Sequence, residues 1–199
     1  MKIILASKSP RRIEIFNSLG IFPEIIPADI DETVSPDTPP RDTVMLLARD
    51  KAEHVAKQHP DALVVAADTM VFKDGLLLGK PKNTEDAYAM LSSLSGYTHS
   101  VFTGIAVCYK GKTVLDVVET KVLFRDLSKS EIESYIDSNE PFDKAGAYGI
   151  QGLGALLVKE IHGDYFNVVG LPVSRLFEII RQNFGFEAEQ IRNTKPSIT

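Results

Sequence analysis

The chain has one cysteine and no tryptophan among its 199 residues, and it contains no apolar run of transmembrane length. A lone cysteine excludes an intrachain disulfide framework, so we expect Cys108 to be a small core residue of the strand-like run Val101–Tyr109. The first residues lack the basic region, apolar stretch and cleavage site of a signal peptide. These absences predict a cytoplasmic protein with no membrane partner.

The chain also has no excess of positively charged over negatively charged residues. The chain carries 22 lysines and arginines against 27 aspartates and glutamates, for a net charge of -5. This balance argues against nucleic-acid partners. The four histidines lack metal-ligand spacing, and no nucleophile elbow of a serine hydrolase occurs.

Helical and strand-like segments alternate along most of the chain, but two hairpin signals interrupt the alternation. Asp74-Gly75 marks one hairpin turn, and Lys110-Gly111-Lys112 joins two long strand-like runs. Ser128-Lys129-Ser130-Glu131 forms a capping box that begins a helix. We also expect Thr84 to cap a helix that reaches Leu94 and a strand to run over Ala155–Ile161. We therefore predict an α/β fold with a mixed sheet, as one domain or as two small lobes.

The segment Ser7–Ile13 follows the apolar run Ile3–Ala6 and opens a helical pattern. Ser9 is suited to the helix N-cap and Pro10 to the first turn. A helix start exposes backbone N–H groups and carries partial positive charge. Because Arg11 and Arg12 stand at the same place with two serines, Ser7 and Ser9, this segment predicts a site for phosphate or another anion.

Two carboxylates are candidates for chemistry. Asp68 lies inside the apolar run Ala62–Phe72, where an ionised group requires a metal, a cation or hydrogen bonds. Glu32 lies in the acidic loop Asp29–Thr33. Together they could bind a hard divalent cation. The alternatives are that Asp68 caps a turn at a strand end and that Glu32 is merely solvated.

Three lysines occupy settings that are unusual for surface residues. Lys51 interrupts the apolar face of a helix, Lys80 lies in Gly79-Lys80-Pro81, and Lys144 precedes a glycine-rich loop. Each one alone could be a surface lysine with a buried stem. Together with two arginines and two carboxylates, they form the charge pattern expected for a metal–polyphosphate substrate.

The glycine-rich segment Gly146–Gly152 is neither a Walker A loop nor a Rossmann fingerprint. A close-approach loop is one interpretation of it. Within it, Gln151 carries an amide that could both donate to and accept from the edge of a base.

With these motifs in hand, the chain resembles the Maf-like nucleoside triphosphate pyrophosphatases, also described as septum-formation inhibitor proteins. The resemblance extends from Met1 to about Gly185, and it predicts one domain over residues 1–185 followed by a polar tail over 186–199. It rests on separate motifs in one order: Ala6-Ser7-x-Ser9-Pro10-Arg11-Arg12, Asp31-Glu32, Ala67-Asp68-Thr69, Gly79-Lys80-Pro81, Asp143–Gly152 and Gly163–Pro172.

The resemblance implies an inosine triphosphate pyrophosphatase-like fold, with a mixed twisted sheet in two lobes and a deep cleft. It implies a metal-dependent enzyme, with Mg²⁺ or Mn²⁺, that cleaves dTTP and UTP into a monophosphate and pyrophosphate. Modified pyrimidine nucleotides are further candidate substrates, and the family suggests a homodimer.

The resemblance also suggests roles for individual residues. Asp68 corresponds to the proton acceptor of the family, and we expect it to share the metal with Glu32. Arg11, Thr69 and Gln151 match the positions that mark the thymidine/uridine branch. The expected phosphate-binding residues are Ser7, Ser9, Arg11, Arg12, Lys51, Lys80 and Lys144.

Two alternatives stay open at the level of the sequence. The protein could be a nucleotide-binding regulator of division or septum formation, in which hydrolysis is incidental. It could also be an enzyme for 7-methylguanosine triphosphate, although Arg11, Thr69 and Gln151 argue against that base.

Overall fold

A computed structural model describes residues 1–35 and 37–192 of the chain. The described strands are β1 Ile3–Leu5, β2 Glu24–Ile25, β3 Leu63–Lys73, β4 Leu76–Leu78, β5 Thr98–Tyr109, β6 Lys112–Phe124 and β7 Val158–His162. The described helices are α1 Pro10–Ser18, α2 Pro40–Ala56, α3 Thr84–Leu94, α4 Lys129–Asp137, α5 Tyr165–Val169, α6 Val173–Phe184 and α7 Ala188–Ile191. Short 3₁₀ turns lie at Glu140–Asp143, Ala145–Ala147 and Gly152–Leu156. None of the described helices is long and apolar enough to cross a membrane.

The strands form one mixed sheet in the order β2-β1-β3-β5-β6-β7, with β4 paired to β3. Strand β1 runs parallel to both β2 and β3, whereas β3–β4 and β6–β7 are antiparallel. The predicted α/β class with a mixed sheet is therefore confirmed. The hairpin turn at Asp74-Gly75 is confirmed as well, since both residues have positive φ and join β3 to β4.

The chain divides into two compact units. The first unit contains Met1–Asp68, Thr103–Val117 and the described residues from Gly170 onward, and the second contains Thr69–Phe102 and Val118–Val169. Strands β3, β5 and β6 each contribute residues to both units.

In the first unit, helix α2 packs on the sheet through small side chains. Its residues Ala48 and Ala52 are fully buried, and Val44 of the same helix lies directly over β5. A Cβ built on Gly104 of β5 would stand 2.2 Å from the Val44 carbonyl oxygen, so only glycine leaves room for the helix backbone. Ala48 and Ala52 belong to one buried cluster with Ile4, Ala6, Val64, Ala66, Ala106 and Cys108. This confirms the core position predicted for Cys108.

In the second unit, the core contains an aromatic group with one buried histidine. The His99 ring packs edge-to-face against Phe124 and Tyr148, and its Nε2 lies 2.7 Å from the Tyr148 hydroxyl. Burial, with a smaller contribution from the charge of Lys73, lowers the pKa of His99 from 6.5 to about 4. Among the described residues, its Nδ1 has no hydrogen-bond partner.

Two predicted element boundaries are wrong. Asn83 rather than Thr84 is the N-cap of α3, and its side chain accepts from the Asp86 N–H. Strand β7 begins at Val158 rather than Ala155, because Gly152–Leu156 forms a 3₁₀ turn. The capping box at Ser128 is confirmed.

The tail predicted over 186–199 is described only in part, since residues 193–199 lie outside the described residues. Within the described part, Ala188–Ile191 forms helix α7, and the Ile191 side chain is buried.

Replacing Gly104 by alanine should lower the free energy of unfolding by about 1–3 kcal/mol, because the new methyl group would collide with the α2 backbone. Urea denaturation at pH 7 measures the change. Gly79→Ala is the matched control, because a Cβ at Gly79 meets nothing within 4 Å. A Gly104→Ala variant as stable as the control would contradict this packing.

The buried His99 should make the protein less stable in mild acid. Between about pH 6.5 and pH 4, His99 is protonated in the unfolded chain and neutral in the folded chain. The contribution of His99 to stability, fully present above pH 6.5, is therefore lost as the pH falls to about 4. The total loss from this group is about 3 kcal/mol. Urea denaturation between pH 7 and pH 4 should show a shallower decline in His99→Asn than in the parent. Equal slopes would show that His99 does not titrate this way.

Candidate functional site

The turn from β1 into α1 is held by Ser7. Ser9 occupies the N-cap as predicted, but its side chain makes no capping hydrogen bond. Instead, the Ser7 Oγ accepts from the Ser9 N–H at 3.2 Å and from Arg12 Nη1 at 3.2 Å. Pro10 begins the helix, where its missing N–H costs nothing. The predicted anion-binding segment is thus a helix start with an arginine anchored beside it.

Arg12 is fixed at a second point, because its Nε donates to the Gly170 carbonyl oxygen at 2.7 Å. Burial lowers the pKa of Arg12 below that of a free arginine, while the negative charge of Asp68 raises it. Smaller contributions come from Arg11, which lowers this pKa, and Glu32, which raises it. Since an arginine stays protonated in proteins, Arg12 brings a permanent cation into the field of both candidate carboxylates.

Asp68 obtains its partner from helix α2. Side chains alternate along β3, so Asp68 shares a sheet face with Val64 and Ala66, which pack in one cluster with α2 residues. Lys51 falls in the apolar stripe of α2, and its Nζ donates to Asp68 Oδ1 at 2.6 Å. Both side chains are 12% exposed. The requirement that a buried carboxylate be compensated is met by a lysine.

Glu32 reaches the same lysine. Its Oε1 lies 2.9 Å from Lys51 Nζ, although the Glu32 side chain is 55% exposed. The loop next to Glu32 is fixed locally, because the Thr33 N–H and hydroxyl both donate to Asp31 Oδ1, at 2.9 and 2.6 Å. The structure therefore brings the two predicted carboxylates together on one ammonium group.

The described residues contain no group of three or more histidine, cysteine, aspartate or glutamate side chains that could hold a metal ion. The acidic donors at this place are Asp68 and Glu32. Magnesium sites that use one or two carboxylates, with water and substrate phosphates supplying the other ligands, are common in proteins. The donor set fits a metal that arrives with a polyphosphate.

Four other predicted residues belong to the second unit: Thr69, Lys80, Lys144 and Gln151. Arg11 lies on α1 in the first unit. Thr69 follows Asp68 on β3, so its side chain leaves the opposite face of the strand. The turn that carries Lys80 is tied to the glycine-rich loop, because the Gly146 N–H donates to the Gly79 carbonyl oxygen at 2.9 Å. Lys80 is thereby set near the segment that contains Lys144.

Lys144 lies just before the glycine-rich loop, and Gln151 lies near the end of it. The Lys144 Nζ donates to the Glu140 carbonyl oxygen and, at 2.6 Å, to Asp143 Oδ1. Its stem lies against Gly149, where an added Cβ would stand 2.9 Å from Lys144 Cε. Gln151 is exposed.

Two carbonyl groups that fix candidate residues or the loop beside them could not be predicted from the sequence. The carbonyl oxygens of Gly170 and Gly79 fix Arg12 and the glycine-rich loop, respectively. Every residue has a carbonyl group, so residue identity carries no signal for such contacts.

These features define an α/β protein with a mixed sheet, in which helix α2 presents one lysine to two carboxylates. Comparison with known proteins gives its family. The family described as "Maf-like protein" matches residues 2–183. The chain belongs to the Maf family.

Curated relatives cover nearly the whole chain. A protein of Bacillus anthracis named "dTTP/UTP pyrophosphatase" is 49% identical over 181 residues, which cover 91% of this chain and 95% of that protein. A protein of Clostridioides difficile (strain 630) with the same name is 50% identical over 186 residues, which cover 92% and 96%.

The buried pair Lys51–Asp68 should show strong energetic coupling. A double-mutant cycle with Lys51→Met and Asp68→Asn should give about 1–3 kcal/mol in urea denaturation, because each single change strands a partly buried charge.

The pair Lys73–Asp74 is the matched control for this cycle. Its N–O distance is also 2.6 Å and Lys73 is 13% exposed, but Asp74 is 79% exposed. Lys73→Met with Asp74→Asn should couple by less than about 1 kcal/mol. Equal coupling in the two cycles would mean that burial adds nothing at Asp68.

Proposed function

We propose that this protein is a nucleoside triphosphate pyrophosphatase that hydrolyses dTTP and UTP to the nucleoside monophosphate and pyrophosphate. The observation that carries the proposal is the convergence of Asp68 and Glu32 on Lys51, in the field of Arg12. The names of the relatives at 49–50% identity support the reaction and the two substrates. Modified pyrimidine triphosphates would fit the same chemistry.

Asp68 and Glu32 are the residues that would hold a divalent metal, Mg²⁺ or Mn²⁺. Their oxygens already share one cation, which supports this pairing. When bound, the metal supplies charge neutralisation at the phosphates and eases the deprotonation of water.

Asp68 accepts the proton of the attacking water on its carboxylate. The water oxygen forms a bond to one of the two phosphorus atoms, α or β, while the bond from that phosphorus to the oxygen that bridges them breaks. The products are the nucleoside monophosphate and pyrophosphate. Such a reaction needs positioning, neutralised charge and a base more than covalent participation by the protein. Because Lys51 fixes Asp68 Oδ1, the base is oriented before substrate arrives.

In this proposal the phosphates bind to cationic side chains and hydroxyl groups. Arg12 is supported in this role by its two fixed hydrogen bonds, which leave little entropy to lose on binding. Permanent positive charge also suits the dispersed charge of a triphosphate. The proposed set is Ser7, Ser9, Arg11, Arg12, Lys51, Lys80 and Lys144.

Arg11, Thr69 and Gln151 select the pyrimidine base in this proposal. An amide both donates and accepts, so Gln151 can pair with the complementary groups on the edge of uracil or thymine. The exposed position of Gln151 beside a backbone-held loop supports this role.

The remaining features of the proposal follow from the substrate and the family. A nucleoside triphosphate is a cytoplasmic metabolite, so the enzyme acts in the cytoplasm as a house-cleaning hydrolase. The pyrophosphatase region spans 1–185 as one domain, and two copies of the chain form a homodimer. Sedimentation velocity of the full chain measures the oligomeric state.

Asp68→Asn should reduce dTTP turnover by at least about 100-fold, the scale of a lost general base. The assay follows pyrophosphate and orthophosphate separately, with Mg²⁺, Mn²⁺ or EDTA. Asp74→Asn, which changes an exposed aspartate on the hairpin, is the control and should retain activity.

Three outcomes would contradict the proposed function: near-normal turnover in Asp68→Asn, orthophosphate as the primary product, or tight nucleotide binding without multiple turnovers. The last outcome would favour a nucleotide-binding regulator.

A further inference from the structure

The backbone is held by side chains on both sides of Gln151. The Gly149 N–H donates to the Tyr135 hydroxyl oxygen at 3.2 Å. The Leu153 N–H donates to Glu140 Oε1 at 3.1 Å. The two held N–H groups lie two residues before and two residues after Gln151.

The two acceptors influence each other electrostatically. Burial is the main cause that raises the pKa of Tyr135 above its usual value, the bond from the Gly149 N–H lowers it, and the negative charge of Glu140 raises it further. We call the two bonds, from the Gly149 N–H to the Tyr135 hydroxyl and from the Leu153 N–H to Glu140 Oε1, the Tyr135–Glu140 clamp.

The two residues of the clamp are carried by helix α4 and by the 3₁₀ turn that follows it. Tyr135 is only 4% exposed, and it lies in α4, whose start is closed by the capping box of Ser128 and Glu131. Glu140 begins the 3₁₀ turn that follows α4. A hydroxyl group on a buried ring has few positions open to it, so it serves as a fixed point for the loop.

Gly152 in the loop and Gly154 just after it fit closely against the clamp. A Cβ on Gly154 would stand 1.9 Å from the Gly149 carbonyl oxygen and 2.9 Å from the Tyr135 hydroxyl. A Cβ on Gly152, which also has φ of +62°, would stand 2.7 Å from Glu140 Oε1. The loop therefore closes on itself and on both acceptors, while the Gln151 side chain stays exposed.

We propose that Tyr135 and Glu140 are positioning residues for base selection: they fix the backbone on both sides of Gln151 so that its amide meets a pyrimidine edge in one orientation. This inference rests on the base-reading role of Gln151 in the proposed function. An amide discriminates between bases only if its donor and acceptor are held in place, because a mobile amide can turn to suit either pattern. The clamp contacts backbone and not substrate, so it should govern preference more than turnover.

Glu140→Ala should lower the preference for dTTP over dGTP, as the ratio of kcat/KM values, by about 10- to 100-fold. Most of the loss should appear as a higher KM for dTTP, with kcat changed little. Glu140→Gln retains an acceptor oxygen at the same place and should keep most of the preference. Tyr135→Phe keeps the ring but loses the hydroxyl, so it should resemble Glu140→Ala.

Two controls on helix α4 separate positioning from stability. Glu133→Ala removes an exposed glutamate that pairs with Lys129 at 3.6 Å on the outer face of the helix, and it should leave the preference unchanged. Glu131→Ala breaks the capping box and should lower Tm without changing the preference. A loss of preference in Glu131→Ala equal to that in Glu140→Ala would overturn the proposal, because lost stability would then explain both.

Gln151→Ala distinguishes failure of this inference from failure of base reading. If Gln151→Ala loses the preference and Glu140→Ala keeps it, the clamp proposal is overturned while the base-reading role stands. If Gln151→Ala keeps the preference, both are overturned. Amide hydrogen exchange of the full chain adds a readout without substrate: Leu153 should exchange faster in Glu140→Ala than in Glu140→Gln. Equal exchange rates would also overturn the clamp.

Discussion

The ion pair between Lys51 and Asp68 is the interaction on which the first unit depends. A carboxylate inside the apolar strand β3 would cost several kcal/mol without a partner. Lys51 supplies that partner at 2.6 Å and also reaches Glu32, so helix α2, strand β3 and the acidic loop meet at one point. Gly104 contributes to this arrangement, because the absence of a Cβ lets the backbone of α2, the helix that carries Lys51, approach the sheet.

The second unit holds its candidate residues by a different means. Side-chain charges organise the first unit, whereas backbone hydrogen bonds organise the glycine-rich loop. The Gly146 N–H binds the Gly79 carbonyl, and the N–H groups of Gly149 and Leu153 bind Tyr135 and Glu140. A Cβ at Gly146, Gly149, Gly152 or Gly154 would lie 3.0 Å or less from a neighbouring atom, which explains why glycines are concentrated there. The phosphate-binding proposal thus depends on charge, and the base-selection proposal depends on shape.

The sequence predicted those elements whose signals are local. The Ser128 capping box and the Asp74-Gly75 turn each lie within a few residues and proved correct. The α2 stripe was equally clear, and it marked Lys51 as an exception. The start of β7 was predicted wrongly because the apolar residues Ala155 to Leu157 suit a strand, while tertiary packing of Gly154 against Gly149 favours a 3₁₀ turn.

By itself, the sequence determined the α/β class and the family, and it supplied the charged residues that we propose for the site. Periodicity and the order of motifs are properties of the chain and need no tertiary structure. Only the tertiary structure decided which groups meet. Lys51 and Asp68 are 17 positions apart, and Arg12 binds a carbonyl 158 positions away, at Gly170. Such partners are chosen by the packing of helices on the sheet and by the cost of leaving a buried charge unpaired, and no local pattern records either one.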